Sequence, residues 1–165
     1  MGRPRGFDES AVVEGAAKLF ARRGFNAVSV DDLVSELGVH RNSLYRTFGS
    51  KRGLYIAALR AVRAGDVKAI VAANDPVAAL RGAVLSDDIG GLDLLLMSAV
   101  EQAQADEDVA AEVSAALAEL DGITSSLGDP ELSTATLLGL RIRIRSGGDY
   151  TRLVNDWAQS RETSH

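Results

Sequence analysis

Three adjacent side chains, Arg41, Asn42 and Ser43, followed closely by Tyr45 and Arg46, are the groups in this 165-residue sequence with the clearest chemistry to offer. A guanidinium presents two parallel N–H groups that match the O6 and N7 acceptors of guanine. A carboxamide pairs in the same two-pronged way with adenine, and each such pair is worth about 1–3 kcal/mol of discrimination. Arg41 and Asn42 are therefore candidate base readers, Ser43 can touch a base or a phosphate, and Arg46 projects either to a duplex or into solvent. The groups that catalysis requires are scarce. Histidine occurs only at 40 and 165, cysteine is absent, and there is no GxSxG, HExxH or phosphate-cradling glycine loop. Asp106, Glu107 and Asp108 are adjacent acids with no histidine beside them, and they sit where acids cap a helix. No catalytic residue, metal site or cofactor is expected.

For these side chains to act together they must project from one short rod, and residues 29–51, SVDDLVSELGVHRNSLYRTFGSK, supply it. Ser29 can cap free amides, Asp32 three residues on completes a capping box, and Val28 can pack on Leu33 as a hydrophobic staple. The spacing predicts a helix over 30–37, with Leu33, Val34 and Leu37 on one apolar face. Gly38 then supplies the residue best able to take the left-handed conformation that ends it. A second helix over 41–48 keeps Leu44 and Phe48 inward at i,i+4, with Val39 just before them, and leaves Arg41, Asn42, Ser43, Tyr45 and Arg46 outside. So short and polar a helix buries too little apolar surface to exist for stability alone. Gly49 and Ser50 break it, and Ser50 caps a further helix from Lys51.

Gly38-Val39, Ser43-Leu44-Tyr45 and Phe48-Gly49-Ser50-Lys51 followed by Leu54 resemble the DNA-binding signature of the tetracycline-repressor (TetR/AcrR) family of bacterial regulators. Phe20, Gly24-Phe25 and Val28-Ser29-Val30 fit the same pattern at the same spacings, so the resemblance runs over about the first sixty residues. It implies an all-α protein of about nine helices: a helix-turn-helix head over residues 1–50 with a basic N-terminal arm, and a helical effector-binding and dimerisation body over 51–165, with 51–73 as the linking helix. The implied function is that of a cytoplasmic transcriptional regulator, a repressor that binds a palindromic double-stranded DNA operator as a homodimer and is released by a small apolar effector. Its two recognition helices would lie about 34–36 Å apart. The resemblance assigns backbone phosphate contacts to Ser29, Tyr45 and Lys51. It also assigns subunit pairing to the last two helices, with Leu137, Leu140, Ile144, Leu153 and Trp157 as the candidate face. Leu95, Met97, Val100, Leu117 and Trp157 are candidates to line an effector pocket. Two positions depart from the pattern: His40 stands where a capping Ser or Thr is usual, and Asp31 lies where some relatives carry a base-contacting cation. The alternative is a helical protein-interaction adaptor whose basic head meets an acidic partner and which has no operator.

The charge distribution bears on both readings. Net charge is −5, yet residues 1–65 carry eleven Lys/Arg against six Asp/Glu, and residues 66–165 carry seven against seventeen. A basic head on an acidic body suits a duplex partner for the head alone. Arg3 and Arg5, in the arm around Pro4, can enter a minor groove or simply belong to a loose terminus. No stretch approaches the roughly 20 apolar residues of a membrane helix, so no membrane association is expected.

Outside the head, the periodicity predicts helices over 7–23, 51–73, 76–85, 92–104, 109–125, 133–146 and 149–160. The first is capped by Asp8 or Ser10, and Asp75-Pro76 provides an N-cap and N1 pair for the third. Arg141-Ile142-Arg143-Ile144-Arg145 alternates as a strand would, but Leu137, Leu138, Leu140 and Ile144 carry the helical period through it, and helix is expected.

Overall fold

The computed structural model describes residues 8–162, with side chains through residue 160; Arg3 and Arg5 lie outside the described residues. Every regular element among these residues is helical. Helix α1 (Glu9–Arg23) begins at Asp8, whose carboxylate accepts from the amides of Ser10 and Ala11, and ends at Gly24. Helices α2 (Val30–Leu37) and α3 (Arg41–Phe48) follow, and then α4 (Lys51–Val62). A π-helical turn, Arg63–Val67, carries α4 into α5 (Lys68–Val71), so the expected linking helix is one rod with a wide turn in it. The rest of the chain forms α6 (Pro76–Leu85), α7 (Gly91–Glu101), α8 (Glu107–Thr124), a 3-10 turn (Ser125–Leu127), α9 (Pro130–Arg145) and α10 (Thr151–Glu162). With the rod counted once, the described residues form nine helices.

α1 lies along both α4 and α7 and so joins the first three helices to the remainder. Its inner stripe, Val12, Ala16, Leu19 and Phe20, is buried as the 3.6-residue period requires. Phe20 meets Tyr55 edge to face with ring centroids 4.9 Å apart, and Phe25 closes the other side of Tyr55 at 4.8 Å. The Tyr55 hydroxyl is held as well. Ser98 donates to the Leu94 carbonyl at 2.6 Å, which leaves its oxygen to accept from Tyr55 at 2.6 Å. One tyrosine of α4 is thereby fixed to α1 by its ring and to α7 by its oxygen.

A second anchor is ionic and lies deeper in the body. Arg141, 1% exposed, is one of the largest fully buried side chains. Its Nε and Nη2 donate to the two carboxylate oxygens of Asp93 on α7, and its remaining N–H groups reach the carbonyls of Val84 in the last turn of α6 and of Ser86 and Asp88 in the α6–α7 connection. All five guanidinium protons thus have acceptors, which is the condition for burying such a group. Arg145, one helical turn on, adds two further bonds to Asp93. Arg143 falls between them on the other side of α9, over the ring of Tyr150. The alternating run is therefore a helix in which i,i+4 arginines share one carboxylate. Burial pushes the Asp93 carboxyl up, but hydrogen bonds from Arg145, Arg141 and the Gly90 amide outweigh it and hold the pKa at about 2.

The structure corrects several expectations about the body. α9 starts at Pro130 rather than 133, because Asp129 accepts from the Leu132 amide and Pro130 takes N1, the same device that opens α6. Leu137 and Leu140 are buried in the chain's own core, so they form no outward pairing face; the large apolar residues that α9 exposes are Leu132 and Ile142. Of the other candidates, Leu153 is half exposed, whereas Ile144 and Trp157 pack against the core. The pocket candidates do not converge on one cavity: Leu95 is buried, Val100 is 81% exposed on the far side of α7, and Leu117 and Trp157 pack on the core. Met97 borders a cleft of about 390 Å³ with Leu96, Ile142 and Arg145. Helical spacing identified apolar residues there, but which side of a mostly apolar helix faces inward is decided by its neighbours.

Replacing Asp93 by Asn leaves Arg141 and Arg145 without their anion, and urea unfolding at neutral pH is expected to show a loss of about 3–5 kcal/mol. The acid limb gives an independent check. The Asp93 pKa lies at about 2 in the folded chain against about 3.9 unfolded, so its contribution of about 2 kcal/mol is complete above pH ~4 and is lost as pH falls towards ~2. The stability gap between the parent and Asp93→Asn should narrow across that window; a constant gap contradicts the assignment.

Candidate nucleic-acid interface

The support for α3 is built before α3 itself. The Ser29 hydroxyl accepts from the Asp32 amide at 3.0 Å while the Asp32 carboxylate accepts from the Ser29 amide at 2.8 Å, closing the capping box of α2. Hydrogen bonds from the Ser29 hydroxyl and amide, and then from Arg23, hold the Asp32 carboxyl down at about 2. Gly38 ends α2 at φ 64°, ψ 31°, a left-handed conformation that lets the chain reverse within three residues. Leu33, Val39 and Leu44 are buried beneath the turn.

On that base the outer side of α3 is uncovered. Arg41, Asn42, Tyr45 and Arg46 are exposed, Ser43 is half-buried, and Leu44 turns inward. His40 occupies the N-cap with no side-chain hydrogen bond to the helix, as its side chain leads one to expect. The four exposed groups comprise two guanidinium forks, a carboxamide and a phenol. Together they can read base edges and hold phosphates from one face.

The structure gives definite positions to the residues that the family resemblance assigned to phosphate. The Ser29 hydroxyl is committed at both ends to Asp32. Lys51 donates to the carbonyls of Phe25 and Val28, each at 2.9 Å, and its ammonium lies 4.1 Å from the centre of the Phe25 ring. It ties the start of α4 to the α1–α2 turn and retains one N–H for an outside acceptor. Tyr45, 38% exposed, lies on the uncovered surface of α3.

Several residues that shape this surface were not anticipated. Arg41 is paired with Asp31 at the start of α2. Glu101, the last residue of α7, accepts from the amides of Phe25 at 2.7 Å and Asn26 at 2.9 Å and so grips the turn that leads into α2. Gly24 admits this contact: its φ is 79°, and a β-carbon there would stand 2.7 Å from a Glu101 oxygen. A glutamate ending a helix opposes the helix dipole, which is the one sequence signal that Glu101 has a partner elsewhere. Arg52 of α4 pairs with Asp106 and Asp108, Arg60 with Glu112, and Arg63 with Glu119. Three of the eleven basic residues counted for the head are thus turned toward α8, and the cationic surface near α3 is smaller than the bare count implies. A cleft of about 600 Å³ opens between α1 and α4, lined by the apolar Val13, Ala17, Phe48, Ala57, Ala61 and Val62, by the charged Glu9, Glu14, Lys18 and Asp66, and by Gly91 at the start of α7. Among the described residues there is no group of His, Cys, Asp and Glu suited to a metal, and no helix long and apolar enough to cross a membrane.

Residues 12–58 match the family model described as bacterial regulatory proteins, tetR family. Over 71 residues the chain is 38% identical to the uncharacterized HTH-type transcriptional regulator YezE of Bacillus subtilis (strain 168), a stretch covering 43% of this chain and 37% of that protein. Over 54 residues it is 46% identical to the HTH-type transcriptional repressor BdcR of Escherichia coli (strain K12), covering 33% of this chain and 27% of that one. Less than two-fifths of either relative is therefore matched. The fold as a whole is similar to that of a cysteine mutant of the TetR family transcriptional regulator CifR complexed with a 26-base-pair double-strand operator, with a TM-score of 0.76, 24% identity, and coverage of 96% of this chain and 98% of that one. Signature and helix-turn-helix geometry agree over residues 12–58, which match the tetR family model, and the whole-chain fold is similar to that of a TetR family regulator.

Proposed function

We propose that the protein is a sequence-specific DNA-binding transcriptional regulator, a repressor that works as a homodimer on a palindromic operator, has no enzymatic activity and acts in the cytoplasm. The observation that carries this reading is the exposed polar face of α3, mounted on a capped and buried support inside the stretch that matches the family model. In this proposal residues 1–50 are the reading head, Arg41, Asn42, Ser43 and Arg46 face base edges, and Tyr45 with the remaining Lys51 proton meets phosphates. Residues 51–165 form the body, which pairs subunits through the outer sides of α9 and α10 and takes a small apolar effector. The cleft between α1 and α4 suits such a ligand: its size lies in the range of small-molecule sites, its walls are mainly apolar, and it touches a head helix and the linking rod together. Release follows if the effector favours a head position that cannot span two half-sites.

Selection of bound fragments from a random duplex pool tests the reading. The parent should enrich a two-fold-symmetric site. Asn42→Ala should relax one base pair per half-site by about 1–3 kcal/mol, whereas Tyr45→Phe should weaken all sequences alike. Retention of duplex that does not depend on salt concentration, with no enriched site, sinks the proposal. The switch makes a separate demand on Glu101. Glu101→Ala removes two charge-assisted bonds and should cost about 2 kcal/mol of stability, speed amide exchange at Phe25 and Asn26, and reduce the effect of ligand on operator binding. Unchanged exchange at those two amides argues against Glu101 as the connection.

A further inference from the structure

Asp31 occupies the second position of α2, where an acid is favoured by the helix dipole. That bland role is already filled by its neighbours, since Ser29 and Asp32 between them satisfy the cap. The hydrogen bond that Asp31 makes is with Arg41, the first residue of α3, whose Nη2 donates to its Oδ1. Both partners remain open to solvent, with Asp31 84% and Arg41 48% exposed at the side chain. Tyr45 lies one turn beyond Arg41 on α3 and is exposed as well. Arg41 is thus tied to a carboxylate on the neighbouring helix.

An exposed carboxylate on a surface that meets phosphates works against sequence-independent affinity. It also restrains a long, flexible side chain before any partner arrives. Asp31 engages one Nη2 proton, so the other four N–H groups, enough for a two-pronged bond to guanine O6 and N7, remain available. A guanidinium already fixed in direction loses less rotamer freedom on binding and is less able to swing to a neighbouring phosphate.

We propose that Asp31 is a positioning residue for base readout: through its ion pair it aims Arg41 at a guanine and trades general affinity for discrimination at that base pair. This rests on the DNA-binding reading above and adds to it a residue that makes no base contact of its own. Removing the charge should therefore move two quantities in opposite directions. Preference at the Arg41 base pair falls, while binding to unrelated duplex rises.

The test is fragment selection followed by titration of the chosen site and of scrambled duplex at two salt concentrations, using the full-length parent, Asp31→Asn, Asp31→Glu, Arg41→Ala and the Asp31→Asn/Arg41→Ala double variant. The Asp31→Asn protein should lose about 5- to 10-fold of base preference at the position that Arg41→Ala also relaxes, and should bind scrambled duplex several-fold more tightly with a steeper salt dependence. Asp31→Glu should recover part of the preference, which a change in α2 stability alone would not do. In the double variant the Asp31 change should leave base preference where Arg41→Ala put it. The inference is overturned if Asp31→Asn selects the parental site with unaltered preference, if it strengthens all sequences equally, or if it shifts preference when Arg41 is already absent. A parent that enriches no sequence removes the DNA-binding reading itself, an outcome distinct from all of these.

Discussion

A single carboxylate, Glu101 at the end of α7, holds the turn from which the helix-turn-helix departs, and the placing of α2 and α3 follows from it. It works because three conditions meet at one point. Gly24 leaves room for it, the amides of Phe25 and Asn26 have no helical partners, and α1 runs close to α7. Around that grip the aromatic trio and the Tyr55–Ser98 bond fix α1, α4 and α7 against one another. The Lys51 ammonium closes the remaining side by drawing two carbonyls of the same turn to the start of α4. A short polar helix with one fully buried side chain is held in place by residues that are not part of it.

Charge is organised along the same seam. Arg52 and Arg60 of α4 and Arg63 of the π-helical turn lie against Asp106 and the acids of α8, so part of the contrast between a basic beginning and an acidic remainder is satisfied inside the molecule. These are mostly half-exposed pairs, and each contributes little to stability in isolation. Their arrangement still gives the rod a preferred rotation with respect to α8. The buried Asp93 with its two arginines acts differently, because guanidinium and carboxylate there are fully hydrogen-bonded and cannot be separated without leaving a bare ion in the core.

The helix-turn-helix is legible from sequence because its determinants are local: Ser29 and Asp32 cap within one turn, Gly38 breaks the helix where it stands, and Leu44 needs only its own period to face inward. The observed limits of α2 and α3 coincide with those expected for the same reason. In the body the determinants are distant in sequence. Nothing near Arg141 indicates that its partners are Asp93 and three carbonyls some fifty residues earlier, and nothing near Leu137 tells a core position from a surface one on an alanine- and leucine-rich helix. Asp129-Pro130 could have been read as a helix start, since Asp75-Pro76 was. Asp31 and Arg41, ten residues apart, become a pair only once the turn between them is folded.

The wide turn at Arg63–Val67 sets the mechanical character of the rod that joins the two halves. A π-helical turn is a single wide turn set into an α-helix, and here its Asp66 carboxylate accepts from the amide of Gly91, whose lack of a β-carbon lets α7 abut the rod; a β-carbon there would stand 2.6 Å from Val62 Cγ1. The irregular turn is therefore braced by the start of α7 at one point along the rod. That point also borders the cleft between α1 and α4, so whatever fills the opening meets the rod where its helical winding changes.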